Sequence, residues 1–116
     1  MLKDDCVFCK IVKKEIPSKI AYEDNKILAF EDAHPQAPIH ILVIPKHHIE
    51  KLSDISEESM RIFGKLILTA NMLAKAKGAL DSGYRVVINC GKNAGQEVFH
   101  LHVHLLAGKV FGWPPG

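Results

Sequence analysis

Three histidines, His100, His102 and His104, stand at every second position of the last apolar run, Phe-His-Leu-His-Val-His-Leu-Leu over 99–106. In a strand, successive side chains alternate between faces, so the three imidazoles would share one face at steps of about 6.6 Å. Phe99, Leu101, Val103 and Leu105 would then take the other face and belong to the core. Three chemistries suit such a row. It could be a solvent-facing polar stripe, although Lys, Thr or Glu would serve equally well there. It could be a metal site, because same-face histidines two apart can bind one zinc. Or it could act by covalent catalysis. A neutral imidazole has one donor nitrogen and one lone-pair nitrogen. If a backbone carbonyl holds the donor, the other nitrogen is aimed, and with an ordinary pKa of ~6.5 it is largely uncharged at neutral pH. It can attack phosphorus and later be displaced by water. Flanking imidazoles, and backbone N–H groups of the Gly-Lys-Asn-Ala-Gly-Gln segment just before the row, would offset charge on phosphate oxygens.

A second group of reactive side chains opens the chain, Cys6-x-x-Cys9. It suits two buried thiols on a first helix, or half of a zinc site that needs two further ligands. A redox role would need a surrounding βαβ unit, which the pattern lacks. Cys90 reads as a small filler near the histidine row. Three cysteines form no disulfide framework and fit a reducing cytoplasm.

The elements that must position these groups follow from periodicity. Val7, Phe8, Ile11 and Val12 predict a short amphipathic helix over 6–14, stopped by Pro17, with Lys10, Lys13 and Lys14 on its solvated side. Ile20–Glu23 and Ile27–Glu31 predict a hairpin about Asp24-Asn25. The β-branched run Ile39–Ile44, between Pro38 and Pro45, predicts a buried strand carrying His40. A long helix is expected over 57–77, with Ser56 as N-cap, Gly78 as the stop, and Met60, Phe63, Ile67, Ala70 and Ala74 on an apolar face widened by Ile62, Leu66 and Leu73. Tyr84–Asn89 and Phe99–Leu106 complete five strands. The fold expected is α+β, an antiparallel five-stranded sheet covered on one face, with one long and one short helix in a single domain, 1–116. Trp113, in the Pro- and Gly-rich tail, is either packing or an interface anchor.

Hydrophobic residues make up 47% and charged residues 24% of the 116, and the formal charge is only +2. That argues against a disordered chain or a binder of nucleic-acid polymers. No apolar run approaches the ~20 residues of a membrane helix, and the N-terminus lacks a signal-peptide apolar block.

The row His-Leu-His-Val-His-Leu-Leu resembles the signature of the histidine-triad (HIT) superfamily. The segments EDAHPQAPIHILVIPKHHI, GYRVVINCGKNAGQEVFHLHVHLLAG and the WPPG end resemble its Hint branch, the histidine triad nucleotide-binding proteins. The resemblance implies a HIT-like fold dimerising into a continuous sheet, and hydrolysis of purine nucleoside phosphoramidates or related AMP-type conjugates. His102 would be the nucleophile, His100 and His104 its flanks, and His40 an outlying fourth histidine. Asp32 would bind the ribose hydroxyls, with Ala33 beside it. Asn89, Gly95, Gln96, Glu97 and Val98 would contact substrate, while Phe8, Ile11, Phe30 and Leu42 would wall the base pocket. Trp113 would reach the partner's site. Glu97 departs from the family's usual serine and puts the leaving-group preference in question; Ala33 and His34 are milder departures. Relatives with the cysteine pair imply structural zinc on Cys6, Cys9, His48 and His100, and no catalytic cofactor. A non-catalytic nucleotide-binding module and a zinc-dependent hydrolase are the competing functions.

Overall fold

The computed structural model describes residues 2–116. The short helix α1 (Val7–Val12) begins where Cys6 Sγ accepts the backbone N–H of Cys9, so the first cysteine is its N-cap and the helix is shorter than 6–14. The hairpin β1 (Ile20–Glu23) and β2 (Ile27–Glu31) forms as predicted: Asp24 Oδ1 accepts from the N–H groups of Lys26 and Ile27, both at 2.8 Å, and closes the turn. β3 (Ile39–Pro45), β4 (Tyr84–Val87) and β5 (Val103–Ala107) complete an antiparallel sheet of order β1-β2-β3-β5-β4. The expected five-stranded fold is therefore present.

β2 and β3 are buried along nearly their whole length, because the sheet is covered on both faces and not on one. On one face, Leu66, Ala70, Leu73 and Ala74 of the long helix α2 (Met60–Ala76) pack on Ile27, Ala29, Ile41, Val43, Val103 and Leu105. On the other, Phe8, Cys9 and Ile11 of α1 pack on Leu28, Phe30, Leu42 and Ile44. Burial of apolar surface on this scale, at roughly 25 cal/mol per Å², is what holds so short a helix as α1 in place.

Three expectations need correction. α2 starts at Met60 and not at Glu57, because Ser59 Oγ accepts the N–H of Ser56 and holds 56–59 in a turn. Met60 and Ile67 lie on the exposed side of α2, outside the core stripe. Finally, only Val103–Ala107 joins the ladder as β5; residues 99–102 precede it, and Phe99 is 42% exposed where a core position was expected. Gly78 ends α2 as predicted, at φ 74°, with Ala79 N–H returning to Ala74 O. Among the described residues no helix is long and apolar enough to cross a membrane.

Candidate active site and metal cluster

The histidine row keeps its alternation but splits its tasks. Leu101, Val103 and Leu105 enter the α2-covered core, and the histidines point to the α1 side. There His102 and His104 line a cleft of about 930 Å³, while His100 turns to the cysteine pair.

His102 is 7% exposed. Its Nδ1 lies 2.7 Å from the His100 carbonyl oxygen, which can only accept, so Nδ1 carries the proton and Nε2 keeps its lone pair. Burial holds its pKa below the ordinary histidine value. Phe8 packs edge-on against the ring, centroids 5.1 Å apart, and fixes its plane.

His104 is wired from behind. The Gln36 N–H donates to His40 Nδ1 at 3.0 Å, which places the His40 proton on Nε2. That Nε2–H faces His104 Nδ1 at 2.9 Å and Asp32 Oδ2 at 3.4 Å. His104 Nδ1 is thus an acceptor, and its own proton sits on Nε2. Burial, with His102 and His40 nearby, pushes the His104 pKa down to about 4, and burial also lowers that of His40. The chain Gln36–His40–His104 therefore presents a neutral N–H beside the lone pair of His102. Asp32, His40 and His104 also have metal-ligand types in reach of one another. The His40–His104 hydrogen bond occupies the space between their nitrogens with a proton.

These depressed values have a consequence for stability. The unfolded chain binds a proton at position 104 below pH ~6.5, while the folded chain resists it until about pH 4. Unfolding is therefore proton-linked, and stability falls as pH drops through that window, by at most roughly 3 kcal/mol for this group. His40 shifts in the same direction. Denaturant titrations at pH 7.5 and 5 should show a lower midpoint at pH 5, and the difference should shrink in His104→Asn; equal midpoints would refute the assignment.

The cleft collects most of the residues expected there. Asp32, Ala33, His40, Asn89, Gly95, Glu97, Val98, His102 and His104 line it, with Phe8, Ile11, Phe30 and Leu42. Gln96 does not. It is buried beneath the loop, where its Oε1 accepts from Gly91 N–H (2.8 Å) and its Nε2 donates to the carbonyls of Glu50 (2.8 Å) and Val98 (3.1 Å). Asn89 Nδ2 donates to Ala94 O at 2.8 Å. Both amides are struts that shape the loop, whose turns need positive φ at Gly91 (88°) and Gly95 (83°). Trp113 is 84% exposed and lies outside the cleft, on a tail held by Arg85 Nη2 donating to Gly112 O at 2.8 Å. Cys90 is half-buried, and hydrogen bonds from Ser53 lower its pKa. Sequence reasoning missed the Gln36 amide and the Pro45 carbonyl, because backbone groups leave no side-chain signal. It also missed Lys19 and Gln36 at the rim.

On the far side of Phe8, the donor atoms of Cys6, Cys9, His48 and His100 all lie within 4.8 Å of one another. His100 is fully buried, and its Nε2 donates to Pro45 O at 2.8 Å, which leaves the Nδ1 lone pair facing the thiols at 3.3 and 3.5 Å. His48 Nδ1 lies 3.2 Å from that nitrogen and 3.4 Å from Cys9 Sγ. Burial drives the His100 pKa to about 4 and pushes the Cys9 thiol up. Two soft sulfurs and two lone-pair nitrogens, separated by about the edges of a tetrahedron, are the set zinc takes. His48 Nε2 is buried without a hydrogen-bond partner, so this ring is not placed by hydrogen bonding at both nitrogens. The residues fit the ion.

The histidine row, the cleft above it and the fold agree with the comparisons. The HIT domain family model matches residues 13–110. The chain belongs to the HIT family. It is 50% identical to an uncharacterised HIT-like protein of Synechococcus elongatus, over 99% of this chain and all of the relative. It is 52% identical to a 14 kDa zinc-binding protein of Zea mays, over 95% of this chain and 87% of that one. A HIT family hydrolase from Legionella pneumophila superposes with a TM-score of 0.95 at 46% identity, covering 97% of this chain and 100% of its own. In this HIT chain the four donors of the cluster come from α1, the segment after β3 and the segment before β5, so they join parts far apart in sequence.

Proposed function

We propose that this HIT protein is of the Hint type and hydrolyses purine nucleoside phosphoramidates or related AMP-type conjugates through a nucleotidyl intermediate on His102. The observation that carries this is the 2.7 Å contact of His102 Nδ1 with the His100 carbonyl, which fixes an uncharged lone pair on Nε2. The apolar wall of Phe8, Ile11, Phe30 and Leu42 suits a base, and the Asp32 carboxylate suits ribose hydroxyls. Nε2 attacks phosphorus as the P–N bond breaks, and the leaving nitrogen departs as an amine with a proton taken from solvent, which the second-step water later returns. Water then displaces the imidazole. Over both steps one water is consumed, its hydroxyl ending on phosphorus and one proton on the amine. The cation formed at His102 is stabilised by the His100 carbonyl, and His104 Nε2–H opposes charge on the phosphoryl oxygens; the Gly95 and Gln96 N–H groups are spent within the loop, on the carbonyls of Lys92 (3.0 Å) and Gly91 (3.1 Å). Glu97, exposed at the rim, favours a leaving group with positive charge near the reacting nitrogen. The test is turnover of adenosine 5′-phosphoramidate with intact-mass detection of an AMP adduct in rapidly quenched samples. AMP release without any adduct on His102 would overturn the covalent route.

The proposal includes a zinc ion on Cys6, Cys9, His48 and His100, a single domain over 1–116, and work in a reducing cytoplasm, where the three cysteines stay out of disulfides. It also includes a homodimer. β4 is an edge strand, and Met60, Ile67, Leu68 and Met72 form an exposed apolar stripe on α2. The tail tied to Arg85 of β4 would then carry Trp113 towards the partner. Leu68 is 58% exposed, so Leu68→Glu should leave the fold intact and convert a dimer to a monomer in sedimentation; an unchanged mass removes this interface.

A further inference from the structure

We infer that Cys6, Cys9 and His48 are positioning residues for the nucleophile, acting through His100 and Phe8 when a metal ion joins the cluster. None of the three lines the catalytic cleft. They reach His102 by two routes.

The first route runs through His100. Its ring is held from both sides, with Nε2 on Pro45 O at 2.8 Å and Nδ1 facing Cys6, Cys9 and His48 at 3.2–3.5 Å. Its carbonyl is the group that fixes the His102 tautomer at 2.7 Å. This carbonyl lies outside the β5 ladder, which begins at Val103. The neighbouring backbone is tied by Leu101 N–H to Ile49 O at 2.6 Å, one residue beyond the segment that carries His48. The carbonyl is therefore aimed by the Leu101 N–H of its own planar peptide unit, bonded to the chain just after His48, together with the anchored His100 ring, without a strand register to hold it.

The second route runs through Phe8. Cys6 and Cys9 bracket it on a six-residue helix, too short to persist without tertiary anchors. The Phe8 ring meets His102 at 5.1 Å, His100 at 5.9 Å and Phe30 at 5.4 Å. Tying both thiols to one ion fixes α1, and with it the ring that braces the nucleophile. Without that tie, His100 and Phe8 loosen together, and His102 gains access to the tautomer protonated at Nε2, which offers the cleft no lone pair.

The test is the tautomer itself. Reduced protein labelled with ¹⁵N-histidine would be compared zinc-loaded, chelated and reloaded, using long-range ¹H–¹⁵N spectra of His102. The expected result is a single Nδ1–H tautomer with zinc and a mixed or averaged signal without it. Turnover of the phosphoramidate should show kcat lower by at least about tenfold, since a wrong tautomer alone can cost far more. KM and AMP affinity should change much less, and zinc should restore both readouts. An unchanged tautomer and kcat in folded, metal-free protein would overturn the inference, as would failure to take up zinc at all. If chelation unfolds the chain, His48→Ala and Cys9→His carry the comparison. The first should lose the single tautomer, and the second, which keeps four donors, should retain it; the same tautomer in both overturns the proposal. The activity arm rests on the hydrolase reading, but the tautomer arm does not, so the two can fail separately.

Discussion

Asparagine at position 102 is expected to lower kcat for adenosine phosphoramidate by about 10⁴-fold or more, because the covalent route then has no nucleophile. Asparagine can still donate to the His100 carbonyl that now receives His102 Nδ1. The backbone around the site should therefore keep its shape, and AMP affinity should stay within a few-fold. No AMP adduct should appear on the variant by mass. Full activity in His102→Asn would end the covalent proposal. Nucleotide binding by the parent protein without turnover would support the non-catalytic module instead. Chelation cannot distinguish a zinc-dependent hydrolase from the covalent route if the cluster aims His102, because both would lose rate. The adduct on His102 discriminates, since a metal-activated water leaves no nucleotide on the protein.

Much of this site is legible in the sequence because its residues sit in strands whose period is two. Ile20–Glu23 and Ile27–Glu31 agree with the observed strands to the residue, since Asp24 closes the turn between them through its own carboxylate. The alternation through Leu101, Val103 and Leu105 likewise places the histidines on the α1 side. What the pattern could not show is where the ladder stops. Residues 99–102 have strand-like alternation but leave the sheet, so Phe99 reaches solvent and His100 reaches the thiols. α2 shows a different limit. A helix with apolar residues around most of its circumference does not declare which stripe meets the sheet, and Met60 and Ile67 ended on the outside. The loop amides Asn89 and Gln96 have a third cause. A polar side chain beside a phosphate-type loop can hold ligand or hold the loop, and only its bonds to Ala94, Gly91, Glu50 and Val98 show the second.

The row His100, His102 and His104 shows how one residue type acquires different chemistry from backbone wiring alone. A carbonyl on Nε2 of His100 turns its Nδ1 lone pair to the thiols, and a carbonyl on Nδ1 of His102 leaves Nε2 as the free base. A donor on Nδ1 of His104 makes its Nε2 the N–H. Desolvation lowers the pKa of all three, so each remains neutral and its tautomer, not its charge, sets its role.

The second large effect concerns the metal. Protein purified without added metal is expected to carry close to one zinc per chain, bound with both thiols deprotonated. Burial, with the neighbouring Cys6, raises the Cys9 thiol pKa, so in the empty cluster this sulfur favours its neutral form beside the His100 Nδ1 lone pair. A divalent cation reverses that preference and releases protons as it binds. The ion links α1 to the chain after β3 and the chain before β5, contacts the unfolded state cannot assemble, so its binding energy is largely folding energy. At free zinc a thousandfold above its dissociation constant the stabilisation is about 4 kcal/mol, a shift in melting temperature of well over 10 °C for a domain of this size. Calorimetry with and without a strong chelator, in reductant, measures it. Cys9→Ala should melt near the chelated parent and show little further loss with chelator, since the site would already be broken. Metal content near zero together with an unchanged melting temperature would show that the four donors pack as a thiol–imidazole core and bind no ion.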